Sequence, residues 1–118
     1  MKRSYHLLIP GMLIFLVGCY YDKEELLYPL STVDCNNVNA TFISVKPVIA
    51  AKCASAGCHN AASAAGGAVL ETYDQVKAKA DRIKQRAIID KTMPSDKPLS
   101  ANEMAALKCW LSSGAPNN

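Results

Sequence analysis

Two thiols and an imidazole fall within one heptad, Cys53-Ala54-Ser55-Ala56-Gly57-Cys58-His59, and no other feature of the chain limits its fold as much. Two cysteines close in sequence, with a histidine directly after the second, are in the order needed to attach haem c. Each thiol adds to a vinyl group, and the next residue turns beneath the iron. The usual spacing leaves two residues between the cysteines; four intervene here, so the loop must bulge, and Ala54, Ser55, Ala56 and Gly57 are small enough to allow it. Other chemistry is open at this point. Cys53 and Cys58 can pair as a disulfide in an oxidising compartment. Zinc requires a third thiolate from Cys35 or Cys109. A Cys-His nucleophile pair is poorly served by adjacent residues, which rarely bring thiolate and imidazole into hydrogen-bond reach.

The compartment follows from the other end of the chain. Lys2 and Arg3 form a basic start, and the apolar stretch from Leu7 to Val17 is too short to span a bilayer. Residues 1–18 therefore read as a secretory signal. Leu16-Val17-Gly18-Cys19 resembles the bacterial lipobox, in which the cut falls before a cysteine that carries lipid. Cys19 is the expected lipidation site, and Tyr20 after it, rather than Asp, resembles lipoproteins sent to the outer membrane.

Removing residues 1–18 leaves 100 residues with 11 basic and 10 acidic side chains, so bulk charge does not indicate a nucleic-acid binder. It also removes His6, leaving His59 as the only histidine and Met93 and Met104 as the only methionines. Bis-histidine ligation within one chain is thereby excluded. Residues 19–40 are polar and irregular and read as a tether, leaving residues 41–118 as one domain. With Phe42, Tyr73 and Trp110 as its only aromatics, that domain can bury little apolar area by itself. Something else should fill its centre.

Helical periodicity dominates the domain. Phe42, Val45, Val48, Ile49 and Ala50 predict a short helix from Phe42 to the Cys-His cluster, with Pro47 expected in its first turn. Residues 60–69 are small, with Gly66-Gly67, and suit a loop that approaches something closely. Tyr73, Val76, Ala80, Ile83, Ala87 and Ile88 predict an amphipathic helix over 72–90, or two broken near Ala80-Asp81, with its bases on a solvated face. Met93 to Pro98 is a rigid turn. Ser100 and Glu103 match a capping box opening a helix through Leu111, which Gly114 is placed to stop, and Met104 reads as core filler on that helix.

From residue 42 onward the chain resembles the small monohaem cytochrome c domains of envelope lipoproteins. The motifs that carry the resemblance occur in order: Lys-Cys-x-x-x-x-Cys-His at 52–59, Gly-Gly-x-x-Leu-x-x-Tyr at 66–73, Met93-Pro94, Leu-Ser-x-x-Glu at 99–103, and Trp-Leu-Ser-Ser-Gly-Ala from Trp110. The resemblance implies an all-α class I cytochrome c-like fold, three to four short helices around one covalent haem c. It assigns Cys53 and Cys58 to the thioethers, His59 to the proximal position and Met93 to the distal one. Met93, beside a proline in a turn, can be aimed at iron. Under this assignment Cys35 and Cys109 remain for a disulfide joining the segment before the first helix to the last helix. The implied function is single-electron transfer between redox proteins of the cell envelope, without catalysis, from a lipid anchor. Two rivals stand beside it: a cofactor-free lipoprotein stabilised by a Cys53–Cys58 disulfide and serving as an adaptor, and a haem-based sensor with an open sixth position.

Overall fold

The computed structural model describes residues 33–118; the signal segment, Cys19 and the tether as far as residue 32 lie outside them. The described residues are all-α, with no strand among them. Helix α1 is Phe42–Lys52, α2 is Tyr73–Ala78, α3 is Ala80–Ile83 continuing as a π-helical segment Lys84–Ile89, and α4 is Ala101–Ser112.

Reciprocal capping starts three of the four helices. Thr41 and Ser44 exchange bonds at α1, Thr72 and Gln75 at α2, and Ser100 and Glu103 at α4. Each pair satisfies two N–H groups that the first turn leaves without helical partners. Phe42, Val45 and Ile49 then form the buried stripe of α1. Pro47 lies in the interior of that helix rather than in its first turn, because the Thr41 cap sets the start at Phe42. The carbonyl that loses its helical partner to Pro47 is that of Ile43, a residue 76% exposed. The segment after Thr72 breaks at Lys79, one residue before the expected site, where φ is −111° and ψ is 8°. Past Ile83 the helix widens, and Asp90 N–H donates to the Gln85 carbonyl at 2.8 Å.

Helix α4 ends as its glycine requires. Gly114 adopts a φ of +89°, a left-handed conformation that costs a side chain strain. Its N–H donates to Leu111 and that of Ala115 to Trp110, closing both bonds of a Schellman motif. The last residues then fold back over the core. The Trp110 indole N–H donates to the Pro116 carbonyl at 2.9 Å, and the Tyr73 hydroxyl to that of Ala115 at 3.0 Å. Phe42 N–H donates to the Asn118 side chain at 3.0 Å and Ile43 N–H to the Asn118 carbonyl at 3.2 Å, so the chain end caps α1.

Trp110 sits at the centre of the core, fully buried. The Phe42 ring lies 5.7 Å from it and 5.0 Å from Tyr73 in an edge-on arrangement. Val45, Ile49, Val76, Leu107 and Leu111 close around these rings. Met104 is only half-buried and is not part of this cluster. Before α1, the turn at Cys35–Asn37 is fastened to α4 by a Cys35–Cys109 disulfide with a Cα–Cα distance of 5.5 Å. Within the segment read as tether, residue 35 is therefore already tied to the domain.

That bridge spans 74 positions, and chain-entropy reasoning values such a closure at about 4 kcal/mol. Denaturant unfolding of Cys35→Ser/Cys109→Ser should show a loss of that size, matched by reduced wild type; coincident transitions would contradict it. A smaller effect follows from the α4 cap. The Ser100 backbone N–H holds the Glu103 carboxyl below its ordinary range, with help from the Ser100 hydroxyl and Lys52 against slight desolvation. Because the folded value is depressed, this stabilisation is complete above the unfolded glutamate range and fades as pH falls through the folded value. Glu103→Gln should thus be less stable than wild type by about 0.5 kcal/mol at neutral pH. The two stability curves should merge in acid, and a gap that persists there would contradict the assignment.

Candidate functional site

The end of α1 delivers the first cysteine. The Ile49 carbonyl accepts from both Cys53 and Ala54 N–H groups, each at 2.8 Å, which stops the helix and turns the chain. The heptad then closes on itself: His59 N–H donates to the Cys53 carbonyl at 3.0 Å and Cys58 N–H to that of Ser55 at 3.0 Å. Gly57 takes a φ of +83° immediately before Cys58, and its N–H donates to the Ser63 hydroxyl at 2.9 Å. The four-residue spacer is thus accommodated by one left-handed residue, and the glycine is needed for its conformation, since a Cβ there would meet nothing within 4 Å.

The loop after His59 braces the heptad. Ala65 N–H donates to the Cys58 carbonyl at 3.0 Å and Leu70 N–H to the His59 carbonyl at 2.8 Å. The His59 ring is oriented as well, with Nδ1 3.2 Å from the Ala68 carbonyl. A carbonyl only accepts, so Nδ1 donates in this bond, and in the neutral ring that leaves the lone pair on Nε2, the tautomer a metal ligand needs. Gly66 and Gly67, at φ of +60° and +71°, make the turn that returns Ala68 to the ring.

Met93 arrives from the opposite direction. The Arg86 carbonyl, in the widened part of α3, accepts from Thr92 N–H at 2.9 Å and Met93 N–H at 3.2 Å, pinning the turn to the helix. Met93 and Pro94, joined by a cis peptide bond, face the same cavity as Cys53, Cys58 and His59. That cavity has a volume of about 320 Å³. Buried Leu70, Ile83 and Ala87 form part of its wall. All four residues assigned from the sequence therefore line one space, although Met93 is far from the heptad along the chain. Met104 does not line it.

Thiol chemistry narrows what this space can do. Cys53 and Cys58 are unpaired and half-buried, and the Ser55 hydroxyl lies 3.5 Å from the Cys58 sulfur. Burial, with the neighbouring Cys58 adding to it, pushes the Cys53 thiol up to about 11. At neutral pH it is a protonated thiol, unlike an activated nucleophile. The three-thiolate zinc set is not assembled, because Cys35 and Cys109 are bonded to each other. Among the described residues, no group of three or more His, Cys, Asp or Glu side chains is arranged to hold a metal ion. A metal here would need ligands beyond those the described residues group together, and a porphyrin would supply four. The donor set fits haem c in kind: two thiols on one strap, an imidazole fixed through Nδ1, and a thioether on the same apolar cavity.

Sequence reasoning missed the supports. The Ala68 and Arg86 carbonyls carry no signature in residue type. The bases expected on a solvated face are exposed, and what went unread is that Lys79, Arg82 and Arg86 among them also border the cavity. Their spacing with Ile83 and Ala87 was the available signal, blurred by the break at Lys79 and the widening after Ile83. No family model matches this chain, and comparison with curated proteins and with solved structures likewise finds no match.

Proposed function

We propose that the chain is a lipid-anchored monohaem c-type cytochrome that carries single electrons between redox proteins of the bacterial cell envelope. The observation that supports this reading is the convergence of Cys53, Cys58, His59 and Met93 on one apolar cavity. In this reading the fold is the small class I cytochrome c type, and Cys19 carries the lipid. When bound, haem c supplies reversible one-electron chemistry at iron.

The chain's own residues have distinct tasks. Cys53 and Cys58 hold the group covalently, and the Gly57 bulge sets the separation between them. His59 presents Nε2, because its Nδ1–H is committed to Ala68. Met93 offers a soft thioether that favours the ferrous state and raises the potential relative to a second histidine. Leu70, Ile83 and Ala87 exclude water from the wall, which lowers the cost of rearranging solvent during transfer. Trp110, Phe42 and Tyr73 fill the centre that the sequence left for another group, so a porphyrin in the cavity would add apolar area beside that core.

One specific feature favours a second reading. Met93 is 44% exposed, which suits an exchangeable sixth position in a haem-based sensor. Carbon monoxide separates the two: a retained Met93–iron bond leaves the reduced spectrum unchanged, whereas an exchangeable position gives a shifted one. For the carrier itself, potentiometric titration of the purified holoprotein should follow a reversible one-electron curve. Met93→Ala should lower its midpoint by on the order of 100 mV. A protein that is redox-silent in the visible would overturn the carrier reading, and an unchanged midpoint in Met93→Ala would remove Met93 from the iron.

A further inference from the structure

The cavity-facing side of α3 has two levels. Ile83 and Ala87 are buried in the wall, while Lys79, Arg82 and Arg86, three and four residues apart, are exposed along its edge. All five line the same cavity, Lys79 from the break just before α3 and the others from the helix and its widened continuation. Among the described residues, none of these three cations has an ion-pair or side-chain hydrogen-bond partner. The fourth cation at the cavity, Lys52, is already engaged, with Glu103 at 3.8 Å and the Pro98 carbonyl at 3.2 Å. Asp96 is the one carboxylate lining the cavity.

Three uncommitted positive charges at the edge of an apolar space form an anion-attracting mouth. Arg82 and Arg86 stand one turn apart, and each guanidinium offers a planar fork that matches a carboxylate. An occupant suited to both levels is an apolar body with carboxylates at one edge. We propose that Arg82 and Arg86 hold the two propionate carboxylates of haem, with Lys79 adding charge beside them. This rests on the reading of the cavity as a haem site and goes further by naming the edge of the group that faces α3.

The consequence is electrostatic. Cations close to the carboxylates offset their negative charge and so favour the ferrous state, which carries one positive charge fewer at iron. Without the two arginines, the ferric-to-ferrous ratio at a fixed solution potential should rise about tenfold. The test uses matured holoprotein of wild type, Arg82→Gln/Arg86→Gln, Arg82→Lys/Arg86→Lys, and Lys84→Gln, which alters a base of the same helix outside the cavity lining. The ratio is read by potentiometric titration and the propionate bending mode by resonance Raman spectroscopy. The glutamine pair should shift the bending mode and raise the ratio; the lysine pair should keep most of the ratio; Lys84→Gln should do neither. The single substitutions Arg82→Gln and Arg86→Gln, each changing one exposed side chain, are read the same way.

An unchanged bending mode in the glutamine variants overturns the proposal, as does an equal effect from Lys84→Gln. Wild type without covalent haem is a different failure, since it removes the underlying reading as well.

Discussion

Trp110 is the contact on which the arrangement of the chain depends. Its ring is fully buried against Phe42 of α1, its own helix carries Leu107 and Leu111 into the same cluster, and its indole N–H holds the returning C-terminal segment at Pro116. That segment in turn reaches α1 through Asn118 and α2 through the Tyr73 hydroxyl. One side chain thus ties three helices and the chain end together. The disulfide at Cys109, one residue earlier, fastens the approach to α1 onto the same helix. Fixing α1 in this way fixes where its last turn ends, and Cys53 lies there.

The cavity stands apart from this cluster but is built from its edges. Leu70, Ile83 and Ala87 belong to the core and also form cavity wall, so packing on one side determines shape on the other. The polar devices are local. Backbone carbonyls of Cys53, Cys58 and His59 are each satisfied within the heptad and its following loop, while Arg86 carries the Met93 turn. A strap of two thiols and a turn bearing a thioether are therefore held by independent parts of the fold, the first by the end of α1 and the second by the widened end of α3.

Legibility in the sequence followed the range of the interactions involved. Helix starts near Phe42 and Tyr73 were readable from apolar spacing and that at Ala101 from its capping box, because these signals act over a few residues, whereas the caps at Thr41 and Thr72 were not read. The stop at Gly114 was readable for the same reason. Pro47 was misplaced because its allowed location depends on where the Thr41 cap begins the helix, and the widening of α3 left no pattern in residue type. At the site, Cys53, Cys58 and His59 fall within seven residues, so their grouping was readable along the chain. Met93 depended on resemblance and a count of methionines; the fold brings that residue to the same cavity and leaves Met104 elsewhere. The Cys35–Cys109 pairing, expected from the resemblance, is present. The role of α3's basic edge required knowing which way that helix faces, which is a tertiary fact.

The central claim is that Cys53 and Cys58 carry a haem covalently. It is tested most directly by producing the mature domain in a host with cytochrome c maturation, recording its reduced-minus-oxidised spectrum, and extracting the denatured protein with acidified organic solvent. The account requires a sharp α-band on reduction and haem that stays with the polypeptide after extraction. A colourless protein in which Cys53 and Cys58 are linked to each other would contradict it.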